Sequence, residues 1–491
     1  MQSTRQAYLP FILLAVAILA LYSLFPTQTH YWDGVLFSFN IEAVHHGELP
    51  QGVLFHPNHL LYSALGYLAY KVFLACGLAL RAITVLQILN TIFAALGACV
   101  LFAFARRITG SISIAAFCAV LFAFGATWWK FSTDADAYVI AVLLLLLTLD
   151  CVTRERPRFL PAALCQTGAM LFHELAVFAY VPVLVAIALD TRRSKANRVW
   201  TSVVYVAATA AYVAMVYALA YQTADHSAYP TMMAWVLSRS AASQTTHALK
   251  QFPVQYAMSY VKLFAGGKAS MIRDFFSAAE ALAFAICALC IGGAAYLFRR
   301  PSPQIATAPK KNVLLILWAA LLPYAIFFAW WEPASAFYKL FLWAPLVLLL
   351  GSYIAGSTWT AQRAHALLAL AAGLAAWNFG AYIYPHSRTR ADPVLELALR
   401  INRELPQSAT IYYDSFSPDD WYLAYFASGR RWLKLPAGDV AALTKKHGAL
   451  VCFDTTALGA LESSGTRPPI DPAMRWDLTT RQHYVRLECL K

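Results

Sequence analysis

The sequence predicts a polytopic α-helical membrane protein, and two observations lead to that prediction. The 491 residues are 60% apolar and only 13% charged, which leaves too few charged side chains to cover the surface of a soluble protein. Apolar runs long enough to cross about 30 Å of hydrocarbon recur along the chain. The net charge of +13 would suggest a nucleic-acid partner in a soluble protein. In a membrane protein basic residues mark the cytoplasmic loops, so no nucleic-acid partner is expected.

We expect about eleven transmembrane helices. The first apolar stretch, Tyr8 to Phe25, lacks a small-residue cleavage site and is therefore expected to remain as a span rather than act as a signal peptide. The predicted spans lie near 8–26, 82–104, 112–130, 137–152, 159–172, 175–190, 199–221, 276–298, 313–331, 337–355 and 365–384.

Basic residues are distributed unevenly between the two sets of loops, and this predicts the orientation. With the N-terminus inside, most of them fall on the cytoplasmic side. The plasma (inner) membrane is thus the expected location, with the long loops 27–81 and 222–275 and the tail outside. The basic residues of the predicted cytoplasmic connections are Arg5, Arg106, Arg107, Arg154, Arg156, Arg158, Arg192, Arg193, Lys195, Arg198, Arg299, Arg300, Lys310, Lys311 and Arg363.

One further apolar segment, His59 to Leu78, is predicted to lie on the outer surface of the membrane. Counting it as a span would place Arg106 and Arg107 on the wrong side, so we interpret it as an interfacial helix. Loop 27–81 then contains two external amphipathic helices, near 35–47 and 59–76.

The tail, 385–491, has a different pattern and predicts a small extracytoplasmic α/β domain, separate from the transmembrane domain 1–384. A helical period begins at Val394, and Ser417-Pro418-Asp419-Asp420 is a favourable helix start. Another helix is expected at Asp439–Lys446. No Gly-rich loop precedes these helices, so no nucleotide site is expected. The predicted strands are Thr410–Tyr413, Trp432–Leu435, Leu450–Phe453 and Tyr484–Leu487.

The nine cysteines form no CxxC pair and have no metal-ligand spacing. Two of them, Cys287 and Cys290, lie in the middle of a predicted span. We therefore expect all of them to act as small apolar packing residues.

Four polar clusters fall at the predicted external ends of the spans. Each has a purely structural interpretation: Asp33 as a solvated loop residue, Asp134 and Asp136 as helix caps, Lys339 as a cation that reaches the interface. Four separate clusters at one membrane face are nevertheless what an active site there would require, because ionisable groups near a membrane are costly and usually functional. The clusters are Tyr31–Gly34 with Glu42, His45, His46 and His56–His59; Thr133–Tyr138; His173-Glu174; and Trp331–Pro333 with Phe337–Lys339.

The order of these features resembles the GT-C superfamily of membrane glycosyltransferases, especially the bacterial branch with dolichol-phosphate-mannose and aminoarabinose transferase-like members, related to glycosyltransferase family 39. The resemblance covers roughly residues 1–385. The departures are Asn58 where many relatives have a second proline, His173 where they have Lys, and Tyr338-Lys339 where they have Arg-Tyr. The matching features are Asp33, His56-Pro57-Asn58-His59-Leu60-Leu61-Tyr62, Arg81, Arg106-Arg107, Asp134 or Asp136, His173-Glu174 and Tyr338-Lys339.

This resemblance implies transfer of a hexose or pentose from a polyprenyl-phosphate donor, within the bilayer, to an extracytoplasmic glycan, lipid or protein. An inverting transfer needs a carboxylate to take the acceptor's proton and donors at the departing phosphate. Asp33 is the expected base. The other expected site residues are Asp134, Asp136 and His173 in catalysis, Lys339, Tyr338, Arg81, His56 and His59 at the donor phosphate, and Glu42, Glu174 and Glu332 at the acceptor or in support.

Two questions stay open at the level of sequence. Asp33, Asp134 and Asp136 could hold a divalent cation such as Mg or Mn, although the closer relatives favour a reaction that requires no cofactor. A polysaccharide polymerase or ligase of the cell envelope would also use a long external loop such as 222–275. A transporter is less favoured, because neither internal repeats nor paired broken helices are evident.

Overall fold

The computed structural model describes most of the chain as two compact units. The first unit comprises Met1–Pro26 and Asn40–Pro385, and the second comprises Thr27–Phe39 and His386–Lys491. The sequence analysis placed the boundary at 384/385 and assigned 27–39 to the transmembrane domain. The described residues are 4–238, 252–300, 310–357, 361–414, 418–435, 450–465, 470–479 and 484–490.

The first unit is built from α-helices joined by short loops and a few 3₁₀ or π turns. Two helices, α2 and α3, are present where two were expected in loop 27–81, and their external location stays a prediction. The helices are α1 (Thr4–Leu24), α2 (Trp32–His45, which continues into the second unit), α3 (Tyr62–Ala75), α4 (Ala82–Thr109), α5 (Ile112–Phe124), α6 (Ala126–Ser132), α7 (Tyr138–Val152), α8 (Phe159–Phe172), α9 (Tyr180–Leu189), α10 (Lys195–Tyr221), α11 (Met232–Leu237), α12 (Phe252–Phe264), α13 (Ala269–Phe275), α14 (Ala278–Arg299), α15 (Lys311–Trp330), α16 (Leu340–Gly356), α17 (Ala361–Asn378) and α18 (Tyr384–His386).

Five helices in the described residues are long and apolar enough to cross a membrane, or six if the bent pair α5–α6 forms one span. Five further apolar helices are shorter. Each of the eleven predicted spans therefore coincides with a helix or a bent helix pair. The number that cross the membrane stays a prediction, because length and composition alone do not decide it for the short ones.

The bend between α5 and α6 sets the depth of the residues that follow it. The two helices meet at Gly125 with an angle of 62°. A Cβ atom at Gly125 would lie 2.7 Å from the Trp343 ring and 2.9 Å from the Leu263 carbonyl oxygen, so only glycine fits this crossing. The chain then turns through residues 133–137 into α7, deep inside the unit.

The second unit contains a five-stranded mixed sheet, which confirms the α/β prediction for the tail. The strand order is β2-β1-β3-β5-β4, with β1 parallel to β2 and β3, and β5 antiparallel to β3 and β4. Sequence analysis missed β4 and the last helix. The elements are α19 (Pro393–Glu404), β1 (Thr410–Tyr413), α20 (Pro418–Phe426), β2 (Arg431–Lys434), β3 (Val451–Phe453), α21 (Thr455–Ser463), β4 (Ile470–Thr479) and β5 (Tyr484–Leu490).

Local sequence explains the helix starts in this unit. Asp392 accepts backbone N–H bonds from Val394 and Leu395, at 2.9 and 3.0 Å, and Pro393 occupies the first helical position of α19. The predicted cap at Ser417 and the predicted helix Asp439–Lys446 lie outside the described residues.

The prediction that all nine cysteines are packing residues is wrong for two of them. Cys452 on β3 and Cys489 on β5 face each other in the antiparallel register and form a disulfide. They are 37 residues apart, with no local spacing signal, so only the pairing of the two strands reveals them. The other seven cysteines, including Cys287 and Cys290, are not disulfide-bonded.

Candidate active site

Asp33 lies in the second unit, in the first turn of α2, and is partly exposed. A carboxylate at this position is favoured by the helix dipole, so a structural role accompanies any chemical one. Within the same unit, the Gln28 backbone N–H donates to the His386 carbonyl oxygen at 2.7 Å, and His30 stacks on Phe426. These contacts hold the segment that precedes Asp33 against the start of the C-terminal part of the chain.

Glu42 and Arg81 form an ion pair in the first unit. The Arg81 Nε donates to the Glu42 carboxylate at 2.9 Å, and the same carboxylate accepts the backbone N–H of Ala82 at 2.7 Å. Glu42 thereby satisfies a donor at the N-terminus of α4, where negative charge is also favoured by the dipole. Both residues have a structural function, and their expected functions at the acceptor and the phosphate stay predictions.

A second ion pair is buried at the turn between α6 and α7. Lys130 Nζ lies 2.9 Å from an Asp134 oxygen, and the Asp134 side chain is 0% exposed. The Asn90 amide donates to the backbone carbonyl oxygens of Asp134 and Asp136, both at 2.7 Å, and lies 3.1 Å from the Tyr62 hydroxyl. The two aspartates that were expected to act in catalysis are thus part of a buried polar network.

Three predicted site residues, His56, His59 and His173, meet around Tyr138. The rings of His59 and His173 lie 4.5 Å apart between centroids, and His56 stacks on His59 at 5.7 Å. The Tyr138 ring is 4.9 Å from that of His173. His59 and His173 are only 7% and 2% exposed. We call His56, His59, His173 and Tyr138 the histidine cluster.

Backbone hydrogen bonds explain why residues so far apart in sequence meet here. The Glu174 N–H donates to the Asn58 carbonyl oxygen at 3.2 Å, and the Leu61 N–H donates to the Leu171 carbonyl oxygen at 3.0 Å. The helical pattern breaks between α8 and α9, so these backbone groups need partners outside their own helix. Loop 56–62 supplies those partners. Glu174 itself is exposed.

One hydrogen bond of His173 shows which nitrogen of its neutral ring carries the proton. Its Nδ1 accepts the backbone N–H of Leu175 at 3.2 Å, so the proton of the neutral ring is on Nε2. In the described part of the chain this buried Nε2 has no hydrogen-bond partner. A buried donor without an acceptor costs free energy, and such groups often mark a site that a ligand completes.

The pKa of His59 is also affected by its surroundings. Burial, together with the nearby His173 and His56, lowers the pKa of His59 well below its usual range. The ring is therefore neutral at physiological pH. The cluster offers N–H donors in a dry, aromatic environment rather than a set of fixed positive charges.

The loop Trp331–Lys339 contains the last predicted cluster. Lys339 is 0% exposed, and its Nζ donates to the carbonyl oxygens of Pro333 and Ser335 at 2.9 and 2.7 Å. Its side chain therefore stabilises the loop, and a phosphate contact stays a prediction. Glu332, in the same loop, has a φ of 52°, a conformation that non-glycine residues rarely adopt.

Tyr338 links this loop to the histidine cluster. Its ring centroid lies 6.1 Å from that of Tyr138 and 4.5 Å from that of Trp331. Phe341, at the start of α16, packs at 4.7 Å on His173. Aromatic side chains therefore surround the cluster on the side of α16 and keep water away from its donors.

No group of three or more His, Cys, Asp or Glu in the described ranges has an arrangement that could hold a metal ion. Metal dependence stays a prediction.

Lys130 and Asn90 were not predicted from the sequence, whereas Tyr62 and Tyr138 lie in predicted motifs but were given no function there. Lys130 is the last residue of a predicted span and stands four residues before Asp134, a spacing that allows an ion pair. That spacing was the available signal. Asn90 lies inside an apolar helix, where its contact with the distant 134–136 turn has no local signature.

The fold matches a solved structure over nearly the whole chain. The crystal structure of ArnT from Cupriavidus metallidurans bound to undecaprenyl phosphate superposes with a TM-score of 0.61 over 99% of this chain and 98% of that one, at 12% sequence identity. The apo structure of the same protein superposes with a TM-score of 0.48 at 13% identity, with the same coverage. No protein-family model matches the chain, and no curated protein matches it in sequence.

The fold of this chain is similar to that of ArnT. ArnT is an aminoarabinose transferase of the GT-C class of membrane glycosyltransferases. The resemblance that the sequence suggested is therefore confirmed at the level of the fold. At 12% identity the likeness concerns the fold, and the function has to be argued from the residues.

Proposed function

We propose that the chain is a membrane glycosyltransferase that moves a hexose or pentose from a polyprenyl-phosphate donor to an extracytoplasmic glycan, lipid or protein. The observation on which this rests is the histidine cluster. His56 and His59 were expected at the donor phosphate and His173 in catalysis, and the three rings meet within 5.7 Å between neighbouring ring centroids. The fold adds support, because it is shared with a protein that was crystallised with undecaprenyl phosphate.

In this proposal the cluster stabilises the leaving group. As the bond between the sugar carbon and the phosphate oxygen breaks, negative charge accumulates on the phosphate. The Nε2–H of His173 is a buried donor that such an oxygen would satisfy. A preorganised donor in a water-poor site stabilises developing charge more than it would in water.

The second half of the proposed reaction takes place at the acceptor. Its hydroxyl oxygen bonds to the sugar carbon, its proton passes to the Asp33 carboxylate, and polyprenyl phosphate leaves, so that atoms and charge balance. We prefer Asp33 to Asp134 as the base because the Asp134 carboxylate is already paired with Lys130. For the same reason we propose a reaction without a metal, with Asp134 and Asp136 as supports of the buried network.

Replacing Asp33 tests the base. Asp33→Asn keeps the shape of the side chain and removes its basicity. We expect transfer from a radiolabelled polyprenyl-phosphate sugar to fall by about 10²- to 10⁴-fold, the usual contribution of general-base catalysis. The assay uses full-length purified protein in lipid nanodiscs, with thermal unfolding as the check that the variant folds.

Glu48→Gln is the matched control, because Glu48 is an exposed carboxylate of the same external loop. It should transfer at the wild-type rate. Activity of Asp33→Asn within about tenfold of wild type would contradict its assignment as the base.

We propose the plasma (inner) membrane as the location, with the second unit on its outer side. The uneven distribution of basic residues supports this orientation. The disulfide Cys452–Cys489 adds an independent argument, because disulfides persist in oxidising compartments and are rare in the cytosol. The basic residues and the disulfide thus support the same orientation.

A further inference from the structure

A large cleft opens in the first unit at the ends of α4, α7 and α9 and at the start of α15. Its volume is about 950 Å³. Seven cationic side chains line it, against two acidic ones, Glu155 and Asp190. We call it the basic cleft and define it by Arg154, Arg156, Arg158, Arg192, Lys310 and Lys311.

The cleft and the histidine cluster lie at opposite ends of the helical unit. Tyr138, in the cluster, is the first residue of α7, and Val152, which lines the cleft, is the last. An α-helix of 15 residues spans about 22 Å. The cleft therefore does not belong to the candidate active site.

Part of the positive charge in the cleft is compensated and part is not. Arg107 and Arg154 both pair with Asp150, Arg192 pairs with Asp190, and Lys310 pairs with Glu155. The remaining three, Arg156, Arg158 and Lys311, are exposed and form no ion pair within the described ranges. The compensated groups shape the cleft, and the other three give it a surplus of positive charge.

The start of α15 adds to this surplus. Its N-terminal residues are Lys310 and Lys311, with no side-chain cap and no acid in the first turn. Cations at this end of a helix oppose its dipole, whereas an anion there would be favoured. An anion in the cleft would neutralise both the surplus of cationic side chains and the positive end of the α15 dipole.

The lining also shows what kind of anion fits. Between the charged groups the cleft is lined by the apolar side chains Val152, Leu189, Val313 and Ile316, which belong to the ends of membrane helices. A soluble anion gains nothing from them, whereas an acyl chain does. Basic residues next to helix ends at a membrane surface attract anionic headgroups.

We propose that the basic cleft binds the phosphate headgroup of an anionic phospholipid from the leaflet opposite the candidate active site. The phosphate would contact Arg156, Arg158 and Lys311, and the upper acyl chain would lie on the apolar side chains. The positive-inside rule explains why basic residues are on this side of the membrane, but it does not require an enclosed volume with three uncompensated cations.

The test measures retention of phosphatidylglycerol by the full-length protein, purified in detergent, with native mass spectrometry. The triple variant Arg156→Gln/Arg158→Gln/Lys311→Gln should bind at least about tenfold more weakly than wild type, because it loses three charged contacts. Phosphatidylcholine should bind equally weakly to both proteins.

The matched control is Arg299→Gln/Arg300→Gln/Arg363→Gln, which removes the same charge on the same predicted side but outside the cleft lining. It should bind phosphatidylglycerol like wild type. Equal weakening in the two triple variants, or no weakening in either, would overturn the proposal. Displacement of the lipid by millimolar inorganic phosphate would also overturn it, since the site would then bind free phosphate. All six residues lie at the surface, and a wild-type melting temperature confirms that each variant folds.

Discussion

The two polar ends of the helical unit differ in how their charges are arranged. The histidine cluster end is buried: its charges are few, Lys130 is paired with Asp134, and its donors are neutral rings. The basic cleft end has many charges, most of them in water. Because burying a charge costs several kcal/mol, a dry site can contain only a few polar groups, each with a defined partner.

This difference shows where chemistry can be recognised in such a sequence. We call the basic cleft end the wet end, because its side chains are exposed to water. Basic residues cost little free energy there, and their number mainly reflects the topology of the chain in the membrane. We call the buried histidine cluster end the dry end. A polar residue there costs free energy unless it has a partner or a function, so the few that are present, such as His173 and Asp134, indicate a functional site. The experiments below test whether the two ends differ in this way.

The largest effect is expected from Lys130→Met at the dry end. It leaves the Asp134 carboxylate buried without its cationic partner, which typically destabilises a protein by about 3–5 kcal/mol. Unfolding in mixed micelles with increasing SDS measures the change. Adding Asp134→Asn should restore part of the stability, since the pair is then removed as a whole.

The corresponding change at the wet end is Lys310→Met, which removes the partner of Glu155. Their side chains are 67% and 83% exposed. We expect no measurable shift of the SDS midpoint, since water replaces the partner. Equal destabilisation by Lys130→Met and Lys310→Met would show that the two ends do not differ in the way argued above.

An intermediate effect is expected for His173→Phe, which keeps the ring and removes its N–H donor. A hydrogen bond to a charged group typically contributes about 1.5–3 kcal/mol, so affinity for polyprenyl phosphate should fall by about 10- to 100-fold. Competition with a labelled donor in nanodiscs measures this. His46→Phe is the control, because His46 is an exposed ring in the same loop, 27–81, as His59. It should bind polyprenyl phosphate with wild-type affinity.

The smallest effect is a change in the pH dependence of stability. The unfolded chain binds a proton at His59 below a pH of about 6.5, whereas the folded protein, in which the pKa is well below its usual range, does not. The unfolded state therefore binds more protons there, and the free energy of unfolding falls as the pH drops below about 6.5.

Melting temperatures between pH 7.5 and pH 5 test this expectation. His59→Gln should lose less stability on acidification than wild type, and His46→Gln should behave like wild type. An unchanged acid dependence in His59→Gln would mean that the ring takes up its proton in the folded protein as well.

Much of the fold could be predicted from local patterns. The apolar runs predict the long helices of the first unit, and four of the five strands follow from short apolar segments. The helices α11, α12 and α13 in loop 222–275 were not predicted. The strand β4 was missed because Asp471, Pro472 and Asp477 interrupt its pattern, and its pairing with β5 decides its structure. The disulfide was missed for the same reason, since it depends on strand pairing between distant segments.

In the candidate site, too, contacts between segments that are distant in sequence could not be predicted. Single residues such as His59 and His173 could be recognised because they interrupt apolar sequence. Their contact could not, because it depends on backbone hydrogen bonds between loop 56–62 and the break after α8. Asp134 was recognised as a polar residue, but its ion pair with Lys130 was not predicted, although the spacing of four residues allows it.

A structure of the full-length protein in nanodiscs with undecaprenyl phosphate tests the central claim most directly. The proposed function places a phosphate oxygen within about 3 Å of His173 Nε2, the usual distance of a hydrogen bond. His59 should then lie beside the same phosphate. A phosphate bound in the basic cleft, with the histidine cluster unchanged, would contradict the assignment of the cluster to the donor.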